Sequence, residues 1–155
     1  MTPTEFLDQL LPAALACQRT SGIPASFTLA QAALESSWGA RAPGYNLFGV
    51  KPGPAWKGKT VDVDTHEYIA GMRRPVKCAF RAYDSWLDCM KDHAQFFLQN
   101  PRYRPCFREK TGEGWARAAA AAGYATDPAY ADKLIAIIRG RNLARFDNQT
   151  TEVTS

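Results

Sequence analysis

Apolar residues recur at helical spacing from the start of the chain. Phe6, Leu7, Leu10, Leu11 and Ala14 fall on one side of a helix predicted over 2–19. Thr2, Pro3 and Glu5 supply its cap, first-turn proline and capping-box acid. Ser21-Gly22-Ile23-Pro24 breaks it. The stretch 28–39, TLAQAALESSWG, is apolar almost all round, with Leu29, Ala30, Ala32, Ala33, Leu34 and Trp38 leaving only narrow polar gaps. It predicts a buried helix, capped by Thr28 with Gln31 and stopped by Gly39. Gln31 and Glu35, one turn apart, share one gap. The connection over 42–58 is rich in glycine and proline and predicts no regular element.

Periodicity then switches from helical to alternating. Residues 60–64 and 76–80 each alternate, with Gly71 in the connection, which predicts a hairpin over 59–81. Glu67 falls on the face of Val61, Val63 and Ile69, while Asp62, Asp64, His66 and Tyr68 fall on the other. A carboxylate there is out of pattern: either it faces a cleft or a bulge shifts the register. Helical spacing returns over 84–98, capped by Asp84, with Trp86, Leu87, Met90, Ala94 and Phe97 inward. An alanine-rich helix follows over 115–122, closed by Gly123, and Asp127-Pro128 opens the last helix.

The 155 residues suit one domain over 1–147, with a polar, frayed tail over 148–155. The class is α+β, mostly α, with one small hairpin lobe beside a cleft. Lys+Arg 19 against Asp+Glu 15 gives a net charge of +4, which suits an anionic surface such as a cell wall. Arg139, Arg141 and Arg145 read as a solvated helix end, and no nucleic-acid partner is expected because no binding motif accompanies them. No apolar run approaches the ~20 residues of a membrane span. The first residues, MTPTEFLDQLL, have two acids and no basic region, so no secretory signal is expected; the protein works in the cytosol or leaves without a cleaved signal. Cys17, Cys78, Cys89 and Cys106 form no CxxC pair, and with two histidines no metal or other cofactor is expected. They are free thiols or form one or two bridges. Cys89 and His93, one turn apart, read as packing residues, the alternative being a nucleophilic pair.

Glu35 is the acid this pattern leaves unexplained. Burial and the negative end of the helix dipole both raise a carboxyl pKa there. A protonated acid near neutral pH is what a glycosidase needs to protonate a departing sugar oxygen. The alternative is a capped or salt-bridged structural acid. Trp38, Phe48, Trp56 and Tyr68 lie in or beside irregular segments, where they either stack on sugar rings or fill the core. Asn46 either bonds an N-acetyl group or serves a turn.

Six runs in order, AQAALESSWG, YNLFGVK, THEY, FRAYDSW, NPRY and AGYATDPAYADKL, resemble the peptidoglycan-cleaving glucosaminidases of glycoside hydrolase family 73. The resemblance implies a lysozyme-like fold. It also implies hydrolysis of the β-1,4 bond between N-acetylglucosamine and N-acetylmuramic acid within glycan strands, with Glu35 as general acid. It assigns the second carboxylate to Glu67, as base for water or electrostatic partner, and the active-site tyrosine to Tyr124. Tyr130 in the same run is a further candidate, taken with Trp38, Asn46, Phe48 and Tyr68 for substrate contact. Alternatives are a lytic transglycosylase or a non-catalytic wall-binding module. A stand-alone version of such a domain fits a phage lysin or an injected antibacterial toxin acting in the periplasm or wall. A toxin would require a cognate inhibitor seated in the cleft.

Overall fold

The structure, a computed structural model, describes residues 1–148, so the expected tail beyond Asn148 lies outside the described residues. Helix α1 (Pro3–Ser21) is followed by α2 (Ala25–Ser36), a 3-10 turn (Pro43–Tyr45), and strands β1 (Thr60–Ile69) and β2 (Met72–Arg81). Then come α3 (Trp86–Gln99), a 3-10 segment (Pro101–Arg108), α4 (Gly112–Ala121), α5 (Tyr130–Gly140) and a last 3-10 turn (Leu143–Phe146). The predominance of helix with one hairpin agrees with the sequence pattern. Helix α1 starts at its expected capping box: the Thr2 hydroxyl accepts from the Glu5 N–H at 3.1 Å, and Glu5 accepts from the Thr2 N–H at 3.2 Å.

Helix α2 is the centre of the body, packed against α1, α4, α5 and the last 3-10 turn. Every residue from Ala25 to Ala33 is buried. It begins three residues earlier than expected, and Thr28 lies inside it, so the Thr28–Gln31 capping box does not form. Distant groups cap it instead: Gln18 accepts from the Ala25 N–H, and the Asp147 carboxylate accepts from the N–H and hydroxyl of Ser26 at 2.8 and 2.7 Å. The helix also stops before Gly39. Ser37 and Trp38 both take left-handed backbone, at φ 53° and 57°, a conformation that costs a non-glycine residue about 1–2 kcal/mol. The Ser36 hydroxyl stabilises this exit, donating to the Ala32 carbonyl at 2.6 Å and accepting from the Gly39 N–H at 2.9 Å.

The other starts shift for similar reasons. Ser85, not Asp84, caps α3 by accepting from the Asp88 N–H, while Asp84 pairs with Lys59. Helix α4 starts at Gly112, capped by Thr111, where a β-carbon would overlap the Ser26 hydroxyl. Helix α5 begins at Tyr130, and the Asp127 carboxylate holds the turn before it by accepting from the Ala129 N–H at 2.8 Å. Phe27, Phe97 and Trp115 fill the space between these helices, with Phe27 5.6 Å from Phe97 and 5.4 Å from Trp115. Burying each such ring contributes about 2–3 kcal/mol.

Strands β1 and β2 pair one to one from Thr60↔Arg81 to Ile69↔Met72, without a bulge. Ala70 and Gly71 close the hairpin with φ 53° and 80°, the positive values a two-residue type I′ turn requires. Glu67 therefore stands on the Val61–Val63–Thr65 face by ordinary alternation, opposite Arg74. The root is tied to the body: the Arg81 N–H donates to the Val50 carbonyl, and the Arg81 carbonyl accepts from the Asn46 amide at 2.9 Å.

All four cysteines are free. Cys89 is buried, its sulfur accepts from the Leu47 N–H at 3.4 Å, and burial pushes its thiol up to about 12. At the far helix end Arg145 donates to the Arg141 and Asn142 carbonyls and Arg139 pairs with Glu113.

Candidate active site

Glu35 sits on the last turn of α2, where the buried helix breaks the surface, so the residue is exposed instead of fully buried. Protein packed behind the carboxyl still raises its pKa, while a hydrogen bond from the Tyr130 hydroxyl to Oε2, at 3.0 Å, works the other way. Glu35 lies where two hollows meet. The smaller, about 370 Å3, lies between the end of α2, the Phe48–Val50 loop and α3, and Tyr103 and Tyr124 close it. The larger, about 720 Å3, lies between the 39–49 loop and the inner half of the hairpin, where Val63, Asp64, Thr65 and Phe80 form its wall. Together they make a groove of the size that takes sugar residues, with an acid at mid-length.

Behind Glu35 is a buried chain of polar groups. The Tyr130 hydroxyl accepts from the Gln31 amide at 2.9 Å, and the Gln31 carbonyl oxygen lies 2.7 Å from His93 Nε2. Gln31 is fully buried, and His93 and Tyr130 nearly so. Burial lowers the His93 imidazole to about 3, so it is neutral at any ordinary pH. Its ring stacks on Phe48 at 3.9 Å, which lines the smaller hollow. His93 Nε2 is thus engaged by Gln31 and the Cys89 sulfur by the Leu47 N–H, and no hydrogen bond joins the two as a nucleophilic pair. Tyr124 lies stacked between Phe97 and Tyr130, at 5.7 Å from each. Burial, then the charge of nearby Glu35, raises its hydroxyl far above neutral pH, so it acts only as a neutral group.

The remaining sequence candidates separate. Asn46 borders the larger hollow, but its amide is spent: Nδ2 donates to the Val50 and Arg81 carbonyls at 2.9 Å each, and Oδ1 accepts from the Phe48 and Val50 N–H groups. With both donors and both lone pairs used, it is the clip between loop and hairpin root and has nothing left for a sugar. Trp38 packs edge-on against Phe6 at 5.7 Å with Arg141 over its face at 5.3 Å, and it borders neither hollow beside Glu35. Tyr68 is 77% exposed near the hairpin tip, on the face opposite Glu67. Glu67 is exposed two residues beyond Thr65 on the strand, and its carboxylate folds back to accept from the Cys78 thiol at 3.9 Å, opposite Val63. Asp64 borders the hollow, but alternation turns its side chain to the other face, with Lys77 at 3.7 Å. Gln31 and His93 are what sequence reasoning missed as site residues. The signal was the shared gap of Gln31 and Glu35 on one helix face.

No group of three or more metal-ligating side chains occurs among the described residues. Among them, too, no helix is long and apolar enough to cross a membrane.

Residues 11–143 match the glucosaminidase family, described as mannosyl-glycoprotein endo-beta-N-acetylglucosaminidase. The chain belongs to the glucosaminidase family. It is 46% identical over 142 residues to the peptidoglycan hydrolase FlgJ of Escherichia coli K12, covering 86% of this chain and 45% of that protein. To the exo-glucosaminidase LytG of Bacillus subtilis it is 35% identical over 158 residues, covering 97% of this chain and 55% of LytG. The chain thus spans about half the length of these relatives. The solved glycoside hydrolase domain of Salmonella typhimurium FlgJ, truncated at its C-terminus, superimposes with a TM-score of 0.82 at 40% identity, covering 91% of this chain and 98% of that one. The expected lysozyme-like glucosaminidase fold is therefore the one observed.

Proposed function

We propose that the protein is a peptidoglycan hydrolase that cuts the β-1,4 bond between N-acetylglucosamine and N-acetylmuramic acid inside glycan strands. The observation that carries this is Glu35, an acid with a raised pKa held by Tyr130 at the meeting point of two sugar-sized hollows. A strand lying along the groove would put its scissile oxygen over the carboxyl, with sugars on both sides, which suits cleavage within a strand. Glu35 gives its proton to the leaving oxygen, the C–O bond breaks through an oxocarbenium-like transition state, and water completes the new reducing end. Phe48 and Tyr124 offer apolar surface to the sugar rings from the smaller hollow.

Glu67 is our candidate for the second carboxylate, acting on water or on the developing positive charge. Alternation gives it the cleft face of the hairpin, and its Oε1 accepts from the Cys78 thiol at 3.9 Å, opposite Val63 in the wall of the larger hollow. We assign it a supporting role, with the substrate's own N-acetyl oxygen doing part of the work. The partners on this reading are glycan strands of the cell wall, reached after export or injection. A cognate inhibitor would act by filling the groove.

The test is to digest purified peptidoglycan and identify the new ends by mass spectrometry. Reducing N-acetylglucosamine ends on internal fragments are expected. An anhydro-muramyl end would make the protein a lytic transglycosylase, and no soluble fragments would make it a binding module.

A further inference from the structure

The polar chain behind Glu35 runs in one direction in this structure. The Gln31 carbonyl oxygen faces His93 and can only accept, so in this orientation His93 Nε2 carries the hydrogen in their 2.7 Å contact. The other end of the same amide faces the tyrosines: its NH2 donates to the Tyr130 hydroxyl at 2.9 Å and reaches Tyr124 as well. With its lone pair engaged by Gln31, Tyr130 turns its own hydrogen to Glu35 Oε2 at 3.0 Å. Every donor in the series points toward the acid. Among the described residues Oε1 has no protein hydrogen-bond donor.

We propose that His93 and Gln31 are positioning residues that lock the Tyr130 hydroxyl as a donor to Glu35 Oε2, so that the acid's transferable proton resides on Oε1, facing the groove. Neither His93 nor Gln31 exchanges a proton; each sets the orientation of the next group. Without the His93 hydrogen nothing fixes which way round the Gln31 amide sits: unturned it leaves its carbonyl unpaired, and it is free to turn over. Its oxygen then faces Tyr130, the hydroxyl donates to that oxygen, and Glu35 loses the one bond that favours its ionised form. The other charged groups near Glu35 do not reproduce this effect. Arg81 with Asp92, Lys133 with Asp127, and Asp64 with Lys77 are paired with each other, both tyrosines stay neutral, and Arg41, which shares the larger hollow with Glu35, is the same in parent and variants.

The proposal rests on Glu35 being the acid of the proposed hydrolysis, but its test needs no substrate, so the two fail separately. In long-range 1H–15N spectra of the native protein, the ring assigned to His93 by its absence from His93→Phe should be protonated on Nε2 and bare on Nδ1 from pH 5 to 8. A hydrogen on Nδ1 alone, or protonation of that ring within this range, overturns the proposal. Observation of the Glu35 side-chain carbon by 13C NMR then reads the acid directly. His93→Phe, which keeps an aromatic ring against Phe48, should raise the Glu35 midpoint by about one pH unit. His93→Gln, which restores an N–H donor, should bring it back. Tyr130→Phe should give the same rise, and it carries the test if His93→Phe does not fold. An unmoved Glu35 midpoint in a folded His93→Phe or Tyr130→Phe protein overturns the proposal.

Discussion

Glu35 is held under two opposing influences, burial that favours its protonated form and a tyrosine hydroxyl that favours its charge. Burial is the larger, so the folded carboxyl binds its proton more tightly than an ordinary glutamate. On the proposed mechanism the acid form acts, so reducing-end release measured against pH should fall as pH rises through this raised pKa, at higher pH than an unshifted carboxyl would give. Glu67 stands outside the helical frame, on the hairpin. Exposed on the hairpin, its removal should leave the fold untouched, and Glu67→Gln should lower turnover at least about tenfold at an unchanged melting temperature, read by reducing-end release. The acid was legible because an apolar helix with one carboxylate is chemically odd. Asn46 was not, since whether an amide is free or spent depends on four backbone groups, one of them 35 residues away.

Among the elements, the helices hold the acid and the hairpin supplies one wall of the groove. Beyond Thr65↔Val76 the two strands pair only with each other, so the outer half adds little to the stability of the body. Replacing residues 66–75 by Asn-Gly keeps that register and makes a two-residue turn. The shortened protein should melt within about 2 °C of the parent but release fragments at least about tenfold more slowly. A parental rate would remove both Glu67 and the tip from the mechanism. Alternation made the hairpin readable in sequence, as helical spacing did the helices. Their starts were misread where the cap came from afar. Ser26 is tied to Asp147 across 121 residues, and Gly112 opens α4 because only glycine fits against Ser26. The local cap signal at Thr28 lost to these tertiary contacts, whereas that at Asp84 lost to its neighbour Ser85, Asp84 itself pairing with Lys59.

Across the whole molecule, the polar chain behind Glu35 runs through the core and links catalysis to pH stability. His93 is neutral in the folded state down to about pH 3, whereas an unfolded histidine takes a proton near 6.5. Its contribution to stability is complete above the unfolded value and is lost as pH falls toward the folded one, by about 1.4 kcal/mol per pH unit. Glu35 and Asp147, whose folded pKa values are raised, act with the opposite sign at lower pH. Urea unfolding of the parent and of His93→Phe from pH 7 to 4.5 reads the histidine together with the raised Glu35 midpoint, which acts in the same sense: the stability of the variant relative to the parent should rise as pH falls. The central claim concerns the acid itself. Fragment release from purified peptidoglycan by Glu35→Gln, with melting measured on the same sample, tests it most directly. A folded variant slowed at least about a hundredfold is the predicted result. A folded variant that clears the wall at a near-parental rate would contradict the assignment of Glu35.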